Sequence, residues 1–122
     1  MDEYRQQKIS SINQIRDSLI HGGITFQGNR FQTRERDIQD MMGALQIAQV
    51  AAAQNQIFST NWLTEDNVQV LLDLPTLTAL GVAVAEHKRF LVYKAREHKD
   101  NLMLLNSKED IDAYYNSMVW TV

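Results

Sequence analysis

The spacing of apolar residues at the start of the chain predicts a helix over about residues 2–20. Apolar side chains recur there at helical intervals, at Ile9, Ile12, Ile15, Leu19 and Ile20. His21-Gly22-Gly23 follows them and is typical of a helix end. These side chains form one apolar face of the helix, which suits either packing within the chain's own domain or an oligomer seam. About two heptads are too few to distinguish the two. Residues 1–21 are therefore a candidate oligomerisation segment.

A hairpin and a second helix are predicted next. Residues 24–33 place two β-favouring stretches around Gly28-Asn29, a pair that tolerates the positive φ of a tight turn. We expect Phe26 and Phe31 on the packed side of this hairpin. Thr33 is the expected N-cap of the following helix, which helical spacing extends to about Gln56. Both members of the Met41-Met42 pair are expected to fill the core.

The second half of the chain repeats this order with longer elements. Residues 62–71 predict a hairpin, since Glu65-Asp66-Asn67 supplies turn residues between β-favouring flanks. Asp73 is the expected cap of a helix that extends to about Asn106, roughly 45 Å at about 1.5 Å per residue. Such a helix either breaks near Asn101 or projects against another subunit. Ser107 then predicts the start of a short final helix.

These patterns predict an α+β fold that is predominantly α-helical. The expected order is helix, hairpin, helix, hairpin, long helix and short helix, within a single domain over residues 1–122. Apolar residues dominate the tail, residues 118–122, which we expect to dock on this chain or on a neighbour.

Charge and composition exclude several classes of function. Twelve Lys and Arg against fifteen Asp and Glu give a formal net charge of −3, and acids are interleaved with the bases, so no nucleic-acid partner is expected. No apolar run approaches the roughly 20 residues that span a bilayer, so we expect no membrane partner. There is no cysteine, which removes thiol chemistry and disulfides.

No catalytic, cofactor-binding or metal site is predicted, and we do not expect an enzyme. Phosphate loops, nucleophile elbows and calcium loops are absent from the sequence. His87 and His98 share one helix face but lie about 16 Å apart, too far to bind one metal ion. They are expected to be histidines at the edge of the core, with a ring of histidines around an oligomer axis as the alternative.

The remaining expectation is a surface that binds other proteins. Aromatic side chains carry much of the energy at interfaces. The candidate interface residues are Ile12, Ile15, Leu19, Tyr114, Tyr115, Met118 and Trp120. The two tyrosines and Trp120 could equally fill the core, and Trp62 is expected to do so.

Two stretches resemble a known family of domains of unassigned function. Residues 24–33 resemble its opening element, an aromatic, a glycine turn and a second Phe before Gln32-Thr33. Residues 62–67 resemble its central element, a Trp followed by an Asp-Asn turn. The resemblance covers about residues 8–115, including a long helix with a His at position 87. The family occurs in tailed-phage tail-fibre and fibre-associated proteins, and it brings no catalytic residues with it.

The resemblance implies a non-enzymatic structural component of a bacteriophage tail, such as an adaptor associated with the tail fibre or baseplate. It would be made in the host cytoplasm and located in the virion, with other tail or fibre proteins as partners. A homo-oligomer is expected, most simply a trimer, because fibres usually have three-fold symmetry. The alternative is a tail-fibre assembly chaperone that is not retained in the virion. The chain stands without a long fibre before it, which favours an adaptor, an attachment piece or a chaperone over direct receptor binding.

Overall fold

A computed structural model describes residues 1–121, and Val122, the last residue of the predicted apolar tail, lies outside the described residues. The elements are α1 (Asp2–Ile20), β1 (Ile24–Phe26), β2 (Asn29–Phe31), α2 (Glu35–Ala53), β3 (Ser59–Leu63), β4 (Gln69–Asp73), α3 (Leu74–Met103) and α4 (Lys108–Asn116). This order confirms the predicted helical α+β fold with its two hairpins. The chain divides into two compact units: a central unit of residues 20–88, and a terminal unit of residues 1–19 and those from Arg89 onward.

The first hairpin of the central unit is shorter than predicted, and its turn is shifted by one residue. Phe26 pairs with Asn29, so the two residues between them, Gln27 and Gly28, form the turn. Both have positive φ, 50° and 80°, which is the conformation of a type I′ hairpin turn. The expectation that Asn29 lies in the turn was therefore wrong by one position. The packed side is as predicted, since Phe31 is buried and its ring meets that of Phe26 edge to face at 5.9 Å.

The second hairpin pairs β3 with β4 in antiparallel register, with Asn61 opposite Leu71. Thr64 closes the turn: its hydroxyl accepts a hydrogen bond from the Val68 N–H, and its own N–H donates to the Val68 carbonyl at 2.9 Å. Asn67 supplies the positive φ, 61°, that this turn requires. Trp62 is half-buried against the core, as expected.

The core of the central unit lies where both hairpins meet α2 and the first half of α3. Its fully buried members are Ile24, Phe31, Met41, Ala48, Leu72, Leu77, Leu80 and Val84. Met41 is buried but its neighbour Met42 is 46% exposed. Adjacent residues of a helix point about 100° apart, so the expectation that both methionines fill the core was wrong for Met42.

The start of α2 also differs from the prediction. Arg34 is the N-cap residue, and its backbone N–H and guanidinium both donate to the Asp37 carboxylate. Thr33 is fully buried one residue earlier. Its hydroxyl donates to the Ile20 carbonyl at 2.7 Å and accepts from the Gly23 N–H at 2.9 Å. Thr33 therefore fixes the turn after α1 and does not cap α2.

The terminal unit is built from α1, the second half of α3 and α4. Its core consists of Ile12, Ala95, Leu102 and Ile111, all fully buried. Lys99 Nζ, on α3, donates to the Asn13 side chain on α1 at 3.0 Å. Nearer the start of α1, Arg5 donates to the Leu105 carbonyl at 2.7 Å, which satisfies a backbone acceptor just beyond the end of α3.

The helix ends follow their capping residues. Asp73 accepts from the Thr76 N–H at 3.0 Å and begins α3, as predicted. The helix ends at Met103, three residues before the expected position. Ser107 caps α4 as predicted, because its hydroxyl accepts from the Asp110 N–H at 3.2 Å.

Candidate interaction surface

A shallow groove on the terminal unit brings together three of the seven candidate interface residues. Ile15 and Leu19 of α1 and Tyr115 of α4 line it, and its volume is about 390 Å³. The other lining residues are Ser11, Gln14 and Ser18. Leu19 is 38% exposed, so the groove presents aliphatic surface to solvent.

Helical spacing on α1 produces this groove. Ser11, Ile15 and Ser18 follow one another at intervals of four and three residues, which places them on one face of a helix. Serine side chains are short, so they leave a depression between the longer side chains. Tyr115 forms one wall, and the Lys8 ammonium lies 4.2 Å from the centre of its ring. This distance is within the range of a cation–π interaction, which holds the ring in place.

A fourth candidate interface residue, Ile12, does not line the groove. Its side chain is 0% exposed and packs in the core of the terminal unit. Removing such a side chain costs about 2–5 kcal/mol in a packed core. In this structure Ile12 therefore holds the unit together, and its contact with a partner stays a prediction.

Of the remaining three candidates, Tyr114 lies on α4, whereas Met118 and Trp120 lie in the C-terminal segment, residues 117–121; all three pack on the core of the terminal unit. All three are half-buried. His98 anchors this segment: its ring contacts the Trp120 ring at 4.9 Å between centroids and the Tyr114 ring at 5.7 Å. The segment thus docks on this chain, one of the two outcomes that its sequence predicted.

Polar side chains tie α1 to α4 beside the groove. The Tyr4 hydroxyl donates a hydrogen bond to the Asp112 carboxylate, and Lys8 lies 3.8 Å from the same carboxylate. The hydrogen bond to Asp112 raises the pKa of Tyr4, because deprotonation would place two negative charges together. Tyr4 therefore stays a donor at neutral pH and holds α4 against α1.

Residues 1–121 contain neither a metal-ligating cluster nor a helix that could span a membrane. Within residues 1–121, no group of three or more His, Cys, Asp or Glu side chains could hold a metal ion. None of the helices described in this range is long and apolar enough to cross a membrane. His98 is buried and His87 is half-buried, so the structure places both at or inside the core edge.

Sequence reasoning missed a second apolar surface, on the central unit. Met42, Ile47 and Val50 of α2 are 46%, 58% and 54% exposed. Leu63 and Leu71 are exposed on the outer face of the second hairpin. A signal was present in the sequence, because residues 41–64 contain no Asp, Glu, Lys or Arg.

Comparison with known proteins identifies one family. The family model described as "Domain of unknown function (DUF4376)" matches residues 3–115. No curated protein and no solved structure matches the chain.

Proposed function

The chain belongs to the DUF4376 family, and we propose that it is a non-enzymatic structural component of a bacteriophage tail that acts through protein–protein contacts. The two hairpin stretches, residues 24–33 and 62–67, support the tail assignment through their resemblance to elements of fibre-associated domains. In this proposal the protein is made in the host cytoplasm and is located in the tail, as an adaptor at the fibre or the baseplate.

The groove of the terminal unit is the observation that carries the proposal. Its lining residues are aliphatic, hydroxyl, amide and phenol side chains. The lining holds no histidine, carboxylate, lysine or cysteine side chain. Exposed aliphatic surface beside serine and glutamine suits an amphipathic helix of another protein, with Ile15 and Leu19 as apolar contacts and Gln14 as a hydrogen-bonding group.

The proposed partners are other tail or fibre proteins and further copies of the chain. A trimer is the expected assembly where the chain lies on a fibre axis, because three-fold symmetry of the fibre would repeat the groove three times. Tyr115 is the expected energetic centre of each contact, since its ring is held in place and tyrosine is enriched among residues that dominate binding energy.

Mass spectrometry of purified virions of the phage that encodes the chain tests the tail location. Peptides from this chain in the virion support a structural component. Co-purification with fibre protein from infected cells, together with absence from the virion, would instead support the assembly chaperone. Absence from both would overturn the tail assignment.

A pair of variants tests the groove. Leu19→Lys introduces a charge into the groove and is expected to weaken co-purification with tail protein at least about tenfold, equivalent to about 1.4 kcal/mol. Leu104→Lys is the control, because Leu104 is 76% exposed in the same unit and does not line the groove. Equal binding by both variants would exclude the groove as the contact surface.

A further inference from the structure

The outward face of α2 carries apolar and amide side chains without charge. Gln46 and Gln49 are exposed between Met42, Ile47 and Val50. From Met42 to the end of the helix at Ala53 there is no charged residue. Elsewhere in the chain acids and bases alternate on exposed helix faces, so this three-turn face is distinct from the rest of the surface.

Gly43 lies on this face and has no partner in its own chain that requires a glycine. A Cβ atom added there would meet nothing within 4 Å. Glycine inside a helix is about 0.5–1 kcal/mol less favourable than alanine. In helix pairs, the missing side chain lets a second backbone approach closely. The open space over Gly43 is therefore room for a group outside this chain.

The geometry points to a second copy of this chain as the partner, and we propose that the α2 helices of two copies pack against each other. The central unit carries seven acidic residues against four basic ones, a formal net charge of −3. Two central units therefore carry net charge of the same sign, which disfavours contact through their acidic surfaces. Contact through the uncharged face of α2 avoids this repulsion and buries no unpaired charge.

The charges at the start of α2 select an antiparallel arrangement. Glu35, Arg36 and Asp40 precede the uncharged face. In a parallel pair, Asp40 of one copy would lie beside Asp40 of the other. In an antiparallel pair, the charged start of one helix lies beside the uncharged end of its partner, and the two helix dipoles oppose each other favourably.

A two-fold axis near the middle of the face gives a specific match of side chains. With the axis between positions 46 and 47, Gly43 of one copy lies opposite Val50 of the other, and Gln46 lies next to the axis. The space over Gly43 then accepts the Val50 side chain of the second copy. Such an isologous pair is closed, so it forms a dimer and not a fibre.

This proposal does not depend on the tail assignment, because it uses the central unit alone. The groove on the terminal unit is a different surface.

Size-exclusion chromatography with light scattering, up to roughly 100 µM, is the first measurement. We expect a species with an even number of copies. Gly43→Leu fills the space and is expected to weaken the pairing at least about tenfold, while circular dichroism remains helical. Val82→Leu is the matched control, since Val82 is 57% exposed on α3 of the same unit.

Cross-linking provides an independent readout, because the natural chain has no cysteine. Gln46→Cys is expected to form a disulfide-linked dimer under mild oxidation, and Val82→Cys is not. A monomeric wild-type protein at the highest concentration would overturn the proposal. An oligomer that resists Gly43→Leu but dissociates with Leu19→Lys would also overturn it, while supporting the groove of the terminal unit.

Discussion

His98 Nδ1 lies 2.8 Å from the hydroxyl oxygen of Tyr114. The other nitrogen of the ring, Nε2, lies 2.8 Å from the carbonyl oxygen of Val119. A carbonyl oxygen only accepts hydrogen bonds, so Nε2 carries the proton, and in the neutral ring Nδ1 accepts from Tyr114. One buried imidazole therefore connects α3, α4 and the C-terminal segment.

Removing this imidazole should release the C-terminal segment. His98→Ala is expected to lower the free energy of unfolding by about 2–4 kcal/mol, because it removes two hydrogen bonds and a buried ring. Tyr114→Phe removes one of these bonds together with the bond that the hydroxyl accepts from Asn101 Nδ2 at 3.0 Å, and should cost about 1–2 kcal/mol. Fluorescence of Trp120 in a Trp62→Phe background measures the release as a red shift. His21→Ala, at an exposed histidine, is the control, and an equal effect there would contradict the assignment.

The buried hydroxyl of Thr33 should contribute more to the free energy of unfolding than the volume of its side chain does. Thr33→Val keeps the shape but leaves the Ile20 carbonyl and the Gly23 N–H without this partner, which should cost about 1–3 kcal/mol. Chemical denaturation measures the change. Thr78→Val is the control: its exposed hydroxyl donates to the Leu74 carbonyl at 2.8 Å, and the expected change is within about 0.5 kcal/mol. Similar losses of unfolding free energy in both variants would show that burial does not increase the contribution of the Thr33 hydroxyl.

The cap of α2 should contribute stability that depends on pH. The hydrogen bond from the Arg34 side chain lowers the pKa of Asp37 in the folded state. Its contribution is therefore complete above the unfolded pKa, about 3.9, and is lost as the pH falls through the lower folded value. Asp37→Ala should cost about 1 kcal/mol at neutral pH, and the difference from wild type should vanish in acid.

Urea denaturation at several pH values measures this loss. Asp40→Ala, on the exposed side of the same helix, is the control and should show no comparable effect at neutral pH. A cost for Asp37→Ala that stays constant from neutral pH into strong acid would exclude the ionised cap.

Two glycines with positive φ should respond differently to the same substitution. Gly28→Ala meets only backbone strain, because nothing lies within 4 Å of the added Cβ, and should cost about 1–3 kcal/mol. Gly23→Ala meets the same strain, and its Cβ would also lie 3.0 Å from the Phe31 carbonyl oxygen and 2.8 Å from the Arg30 side chain. We expect a further cost of about 1–3 kcal/mol. Thermal unfolding compares the two, and equal costs would contradict the close approach at Gly23.

Local patterns were sufficient to predict the order of elements. Asp73 and Ser107 act as predicted because a cap needs only a short side chain three residues before a free N–H. The hairpins form around Gly28 and Asn67 because few residues tolerate positive φ there. These signals lie within a few residues of the structure that they determine.

Contacts between distant residues explain what the sequence did not predict. Thr33 resembles a cap, but the Ile20 carbonyl, 13 residues earlier, takes its hydroxyl, and Arg34 occupies the cap position instead. His98 resembles a histidine at the core edge until Tyr114 and Val119, 16 and 21 residues later, pack on it. No helical or strand period relates these positions, so periodicity could not reveal them.

The candidate interaction surface was likewise predicted in part by local spacing and determined in part by contacts between distant residues. Spacing placed Ile15 and Leu19 on one face of α1, but only the packing of α4 adds Tyr115 to make a groove. The exposed face of α2 was missed because its apolar residues looked like core, although the uncharged run over residues 41–64 was visible in the sequence. Whether either surface contacts a partner stays a prediction.

The composition of the terminal unit has a consequence for synthesis on the ribosome. Ile12 leaves the ribosome before its partners Ala95, Leu102 and Ile111, which lie beyond the whole central unit. Translation at about 5–20 residues per second makes that interval several seconds long. The central unit has all its core residues by then and can fold first, while the nascent α1 carries an uncovered isoleucine. Chaperones that bind nascent chains would therefore meet α1 while its core is incomplete, and α4 completes the core of the terminal unit once it is translated.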